Sequence, residues 1–185
     1  MKNPMRIPVI ALLLAASVVS FRPPVAQAAS REELQRDAAH ALKNLIATDT
    51  AAALLAPKAK AILVFPHIVK AGFMFGGQVG DGVLTKGGRV VGFYNSLAAS
   101  YGLQAGLQVF GYALFFMNDS SLTYLDKSDG WEIGVGPSIV VVDKGVGKTL
   151  SSTTITQDVY AFIFDQKGLM AGIGIQGSKI TKIAK

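Results

Sequence analysis

The chain has no cysteine among its 185 residues, which excludes disulfides, thiolate nucleophiles and sulfur-ligated metals. Packing alone must hold the fold. Histidine is almost as scarce: His40 and His67 are the whole supply. The first falls in a helix-patterned segment and the second between Pro66 and Ile68 in an apolar stretch, and a pair so placed makes a poor metal site. Charged residues are only 16% of the chain, and no acidic residue follows Asp165. Long apolar runs are lacking too. The stretch from Ile7 to Phe21 is short for a bilayer-spanning helix, with Pro8 near its start and Pro23-Pro24 after it. No exact internal repeat or low-complexity linker occurs.

Motifs of chemistry fail on inspection. "DKGVGKTL" (143–150) ends like a phosphate-binding loop, but that loop needs a glycine five positions before Gly147, where Val142 stands, and a helix straight after Thr149. "LSSTTITQDVYAF" is instead β-branched and alternating. The expected structure is a strand-to-strand turn with bends at Gly145 and Gly147 and solvated Lys144 and Lys148. "GGQVGDG" lacks the strand–turn–helix setting of a dinucleotide fingerprint. "GPSIV" around Ser138 does not place serine between two glycines as a nucleophile elbow does. No catalytic residue, metal ligand or cofactor site is assigned, and the chain is expected not to be an enzyme. A hydrolytic reading would need a pocket that gathers His67 or His40 with carboxylates.

What is present begins with Lys2 and Arg6, continues through the apolar run and reaches Ala26-Gln27-Ala28, the small-x-small pattern of a cleaved secretory signal. Residues 1–28 are therefore expected to be a signal peptide, and 29–185 one soluble, exported domain. A lipid-anchored export signal would need a cysteine after the cut. The remaining 157 residues hold 15 basic and 12 acidic residues, a net +3 where the whole chain has +6. Nucleic acid is not an expected partner, because a denser basic face would be needed.

Ser30-Arg31-Glu32-Glu33 reads as a capping box, and Leu34, Ala38, Ala41, Leu42 and Leu45 recur at helical spacing over 31–47. A second short helix runs from a cap at Asp49 through "TAAALLA", which Pro57 stops or extends by one turn. From Ala61 the pattern is β: "AILVFP", "AGFMFGGQVGDGVLT", "GRVVGFYNSLAASYG" and "GLQAGLQVFGYALFFMN". Lys86-Gly87-Gly88-Arg89 suits a tight hairpin. Asp119 or Ser120 can cap a short helix that Gly130 ends. Strands resume as "WEIGVGPSIVVV", "STTITQDVYAFIFD" and "GLMAGIGIQGSKITKI", with a turn at Asp165-Gln166-Lys167-Gly168. Glycines at alternate positions (Gly72, Gly80 and Gly82, Gly134 and Gly136, Gly172 and Gly174) bare one face of a strand, so the sheet is expected to curl tightly. Short connections leave no room for parallel crossovers. The fold class is α+β: a bent, mostly antiparallel sheet or partly closed barrel with N-terminal helices packed on it.

Lys58, Lys60 and Lys70 flank the apolar "AILVFPHIV", while Lys167, Lys179, Lys182 and Lys185 leave the C-terminus positive. Cations beside apolar side chains suit an anionic lipid surface, where each lysine contributes about 1 kcal/mol.

Three segments resemble the SYLF domain family: "LLAPKAKAILVFPHIVKAGFMFGGQVGDGVL", "GFYNSLAASYGLQAGLQVFGYALFFMN" and "VYAFIFDQKGLMAGIGIQGSKI". The resemblance implies a lipid-binding domain; eukaryotic members prefer phosphoinositides and some bind or bundle actin, while bacterial relatives are exported single-domain proteins. It makes Lys58, Lys60, Lys70, Lys148 and Lys167 the candidate head-group contacts and Phe73 and Phe75 candidate apolar contacts. One departure stands out. The basic amphipathic N-terminal helix of eukaryotic relatives has no counterpart here, since Arg31, Arg36 and Lys43 are balanced by Glu32, Glu33 and Asp37. The expectation is a non-enzymatic protein of the bacterial cell envelope, periplasmic or peripheral on a membrane, binding anionic phospholipid. The alternative is an envelope module that binds a protein partner or a second copy of itself.

Overall fold

The computed structural model describes residues 30–127, 131–132, 135–142, 147, 150, 155–168 and 178–183, without the side chains of 73, 74 and 100–105. The expected signal peptide, Gly134, Gly145, Gly172, Gly174 and most of "DKGVGKTL" lie outside these residues.

Helix α1 (Arg31–Thr48) starts where the Ser30 hydroxyl accepts the Glu33 N–H at 3.2 Å, and it buries Leu34, Ala38, Ala41 and Leu45. Asp49 then serves two helices. Its N–H donates to the Leu45 carbonyl at 2.9 Å, and its carboxylate accepts the Ala52 N–H at 2.9 Å to open α2 (Thr50–Leu55). Pro57 sits in a 3-10 turn, Ala56–Lys58, that ends the helical segment.

Two long strands come next, β1 (Ala61–Lys86) and β2 (Arg89–Phe116), 26 and 28 residues paired antiparallel along their length. The four separate β stretches expected from the sequence are thus two continuous strands. The turn between them is the expected hairpin: Gly87 (φ 56°) and Gly88 (φ 77°) are both left-handed, the requirement of a two-residue turn that matches strand twist. An added Cβ would meet nothing at either position, so backbone conformation alone selects glycine there.

Halfway along, β1 folds back on its own first half. A Cβ on Gly72 would stand 2.6 Å from the Gly76 Cα, one on Gly80 2.6 Å from the His67 carbonyl oxygen, and one on Gly82 2.6 Å from the Phe65 ring. Near the strand's ends the Thr85 hydroxyl donates to the Ile62 carbonyl at 3.2 Å. Bare glycine backbone lets the two halves approach, which bears out the expected curl. The other edge of β2 carries β6 (Lys179–Ile183) on residues 93–97 and β5 (Val159–Gly168) on residues 108–116. β3 (Trp131–Glu132) pairs with β6, and β4 (Ile139–Val141) with β5.

The curl divides the core in two. Inside it lie Leu63, Phe65, Ile68, Leu114, Phe116 and Trp131, closed at one end by Leu122 and Leu125 of α3 (Asp119–Lys127). Outside it, Val64, Val83, Ala113, Phe115, Tyr160 and Phe162 are covered by α1 and α2. The architecture is the expected α+β one, with the N-terminal helices on a curled sheet.

Four local expectations are corrected. Asn118 caps α3 instead of Asp119 or Ser120, its Oδ1 accepting the Ser121 N–H at 2.9 Å. "WEIGVGPSIVVV" is not one strand: Gly136 (φ 99°) breaks it, held so close to α3 that a Cβ would stand 2.6 Å from the Tyr124 ring. Asp165–Gly168 is not a turn, because β5 runs through it with an irregularity beside Phe110 and Asp165 at φ 50°. Finally, β4 and β5 are parallel, so the chain returns between them by a crossover connection. Asp158 anchors that connection. Its carboxylate accepts from Asn118 Nδ2 at 2.6 Å and from the Ser138 N–H and hydroxyl at 2.8 Å each. These bonds favour the charged form and hold the carboxyl below its usual 3.8, the Ser138 N–H contributing most.

Two stability measurements test this description. Gly80→Ala should cost about 3 kcal/mol, because the methyl meets backbone that cannot yield, and Gly88→Ala about 1 kcal/mol, for its left-handed φ alone; equal midpoints in urea would contradict the self-closure. A depressed carboxyl stabilises above its unfolded value and loses that contribution as pH falls. The stability advantage of the parent over Asp158→Ala is therefore expected in full above the usual 3.8 and should narrow as pH drops below it. A gap independent of pH would contradict the carboxylate's role.

Candidate functional site

Strand alternation has opposite consequences at the two ends of the curl. At the closed end, near Leu63, Phe65 and α3, apolar side chains point inward in the usual way. At the bend, around residues 70–78 and 97–108, polarity reverses. Lys70 (6% exposed), Gln78, Gln108 and Ser178 are buried on the inner face, where Gln78 Nε2 donates to the Ser178 hydroxyl at 2.9 Å. Gln108 Oε1 is buried with no hydrogen-bond partner among the described residues. On the outer face Phe75 is 70% exposed, Leu97 and Leu107 are each 58% exposed, and Val69 and Val79 are also open to solvent.

The register shows that these side chains form a belt around the bend. Val69 pairs with Val109, Ala71 with Leu107, Gly77 with Ala99 and Val79 with Leu97, and directly opposed residues share a face. None of the described side chains in this belt is charged. Lysines border it on both sides: Val109 is next to Lys167 of β5, and Leu97 is next to Lys179 of β6, both exposed. Glu132 stands beyond Lys179 in the same row. A patch of exposed apolar side chains in register with flanking cations marks a surface that meets an apolar phase or partner.

Of the residues singled out from the sequence, Phe75 and Lys167 belong to this belt and its border. Lys58 and Lys60 do not. They sit at the start of β1, where the Lys60 N–H donates to the Phe116 carbonyl at 2.7 Å; ten residues separate Lys60 from Lys70, about 33 Å of extended strand. Lys58 and Lys60 are both exposed. Lys70 is on the inner face, so its ammonium is not presented to an external surface. Lys148 and the side chain of Phe73 lie outside the described residues. Sequence reasoning placed Lys179 in a positive terminus without assigning it a contact, and it did not single out Val79, Leu97 or Leu107; their signal was the coincidence of apolar odd-numbered positions with Lys70 and Gln78 at even ones.

Both histidines border a cleft of about 160 Å³ lined by Asp37, His40, Pro66, His67, Asp165 and Lys167, among others. It gathers imidazoles with carboxylates, the condition set for a hydrolytic reading. No hydroxyl-bearing side chain lines it, however, and Asp37 Oδ2 stands 3.8 Å from His67 Nε2, beyond hydrogen-bond reach. A nucleophile–base pair is not assembled. Among the described residues no group of three or more acidic or imidazole side chains could hold a metal ion, and no helix is long and apolar enough to cross a membrane.

Because the belt's side chains are already exposed, truncating them should leave the fold intact. The triple variant Phe75→Ser, Leu97→Ser, Leu107→Ser is expected to stay within about 0.5 kcal/mol per site of the parent, whereas Phe65→Ser, inside the curl, should cost about 3 kcal/mol or more. Urea titrations compare them, and a large loss in the triple variant would mean that the belt is core.

A family model described as Ysc84, Las17-binding protein actin regulator, matches residues 97–184, just under half of the chain. The match begins at Leu97 in the belt, runs through β5 and β6, and bears out the resemblance to the SYLF family. No curated protein matches the chain.

Proposed function

Starting from residues 97–184 as a member of the Ysc84/SYLF family, we propose that this chain is a non-enzymatic, peripheral lipid-binding protein that docks its bent sheet end on an anionic phospholipid surface. The family is compatible with a binding role of this kind. The observation that carries the reading is the reversal of polarity at the bend: polar groups within, apolar side chains without, and Lys167 and Lys179 at the border. In water that arrangement exposes apolar surface at a cost. Against a bilayer, each large belt side chain that leaves water contributes about 1.5–3 kcal/mol, and each bordering lysine about 1 kcal/mol near anionic head groups. The total suits reversible attachment, comparable to that of a single acyl anchor.

Lys58 and Lys60 remain in the proposal as secondary contacts, reached only once the bend has docked, and Lys148 as a head-group contact that the resemblance implies. The leader-like residues 1–28 support an exported protein whose target membrane belongs to the cell envelope. A second reading has support in the family's description, since Las17-binding protein is named for a protein partner: the belt would then bind a protein or a second copy of this chain.

Cosedimentation with vesicles separates the two readings. Binding is expected to phosphatidylglycerol vesicles at low salt, to weaken as salt rises, and to be much weaker with phosphatidylcholine. Lys167→Gln with Lys179→Gln should lower affinity about thirtyfold at low salt and have little effect at high salt. Phe75→Ser with Leu107→Ser should lower it about a hundredfold or more at either. No binding at low salt, or equal binding to neutral vesicles, would end the anionic-lipid reading. A concentration-dependent oligomer in light scattering that ignores lipid would favour the second.

A further inference from the structure

The cleft between α1 and the sheet has a composition that attachment to an anionic surface does not use. Asp37 and His40 come from α1, His67 from β1, and Asp165 and Lys167 from β5. Two strand irregularities deliver the last three. In β1 the register gains a residue between Phe65 and Ile68, and in β5 it gains one between Phe164 and Lys167; both lie against the same part of β2, Phe110 and Gly111. An extra residue reverses which face the subsequent side chains take. Without the β5 bulge, Lys167 would fall on the inner face with Ile163. With it, Lys167 joins the outer row of Val109. Asp165 occupies the bulge at φ 50°, the one non-glycine residue with positive φ among those described, a conformation that costs about 1–3 kcal/mol and collects at functional sites.

The charges select a ligand class. With neutral imidazoles the cleft carries two carboxylates and one ammonium, a formal −1. A lone phosphate would meet Asp37 and Asp165, and a lone amine would meet Lys167. A group bearing both signs satisfies both, with its ammonium on the carboxylates and its phosphate on Lys167 and the imidazole N–H donors. The volume of about 160 Å³ is room for about five waters. That suits a small head group and falls short of a drug-sized site. Val109 and Lys167 border both the cleft and the apolar belt, so a lipid whose chains lie toward the belt has its head group within reach of the cleft.

We propose that this cleft is a head-group site for a zwitterionic ammonium–phosphate, the phosphoethanolamine class. The inference rests on the membrane reading for the source of that head group, and its chemistry is testable without a membrane. His40 and His67 are the only imidazoles in the chain, so their NMR resonances report on the cleft, and His67→Gln assigns them. In the purified full chain, phosphoethanolamine and glycerophosphoethanolamine should shift both resonances saturably, with inorganic phosphate and ethanolamine, each alone, at least about tenfold weaker. Asp165→Asn tests the charge without disturbing the backbone, because asparagine tolerates the left-handed region. It should weaken the zwitterion about tenfold while the midpoint in urea stays near the parent's. Phosphate alone binding as well as the zwitterion, no saturable shift, or an indifferent Asp165→Asn would each overturn the site. Anionic vesicles still bound in any of those cases would leave the membrane reading standing. Zwitterion binding by a chain that ignores all vesicles would keep the site and assign it to a soluble head-group compound.

Discussion

The fold depends on one contact that no side chain makes. Where β1 doubles back, Gly80 lies so near the His67 carbonyl that even a methyl group would stand at 2.6 Å, and Gly72 lies as near Gly76. A strand of ordinary residues can twist but cannot approach itself this closely. Once the halves meet, β2 must bend with β1, β5 and β6 find different halves of β2, and the interior closes around Phe65, Ile68 and Leu114. The hairpin turn, in contrast, uses glycine only for its backbone angles. Two groups of glycines in one strand pair therefore serve separate purposes, one of room and one of conformation.

The bend also accounts for the reversal of polarity. Side chains on the inside of a sharp fold face little space, so an apolar cluster of the size built at the closed end has no room there. The buried positions instead hold groups that bond across short gaps, as Gln78 does to Ser178. Apolar residues of the same segments then take the outer face. Among the described residues no helix covers them, because α1 and α2 pack over Val64, Phe115 and Phe162 at the other end. An uncovered apolar belt is what an antiparallel sheet leaves when its covering layer is short.

Much of this was legible from the sequence, and the misses have common causes. α1, α2 and the Lys86–Arg89 turn arise from local signals: a capping serine, a helical period and paired glycines. Alternate glycines announced the curl. The continuity of β1 and β2 was not visible, because glycine-rich stretches read as breaks until one sees that they bend without interrupting the ladder. Asn118 as a cap, Asp165 as a bulge and the parallel β4 depend on tertiary partners: α3 is held from Asn118 because Asn118 also bonds Asp158. In the belt and its border, Phe75 and Lys167 were singled out by resemblance, and Lys179 was noted only as part of a charged terminus. Lys70, which looked like a surface cation beside an apolar run, is buried. Its position on the inner face results from the extra residue near Pro66, a shift that composition does not disclose.

That shift connects shape to chemistry. Curving a sheet requires irregularities in its strands, and those of β1 and β5 flank β2 at Phe110–Gly111, where Gly111 leaves space for the Phe164 ring. Each bulge bends its strand and also reverses the facing of the residues beyond it. In β1 this turns Lys70 inward and Val69 outward; in β5 it turns Lys167 outward beside Val109. A regular sheet of the same sequence would bury Lys167 and the belt residues before the bend, Val69 and Ala71, and would present Lys70 to solvent. The curvature that closes the core and the cation beside the apolar belt are thus consequences of the same two extra residues. Straightening the sheet would abolish both together.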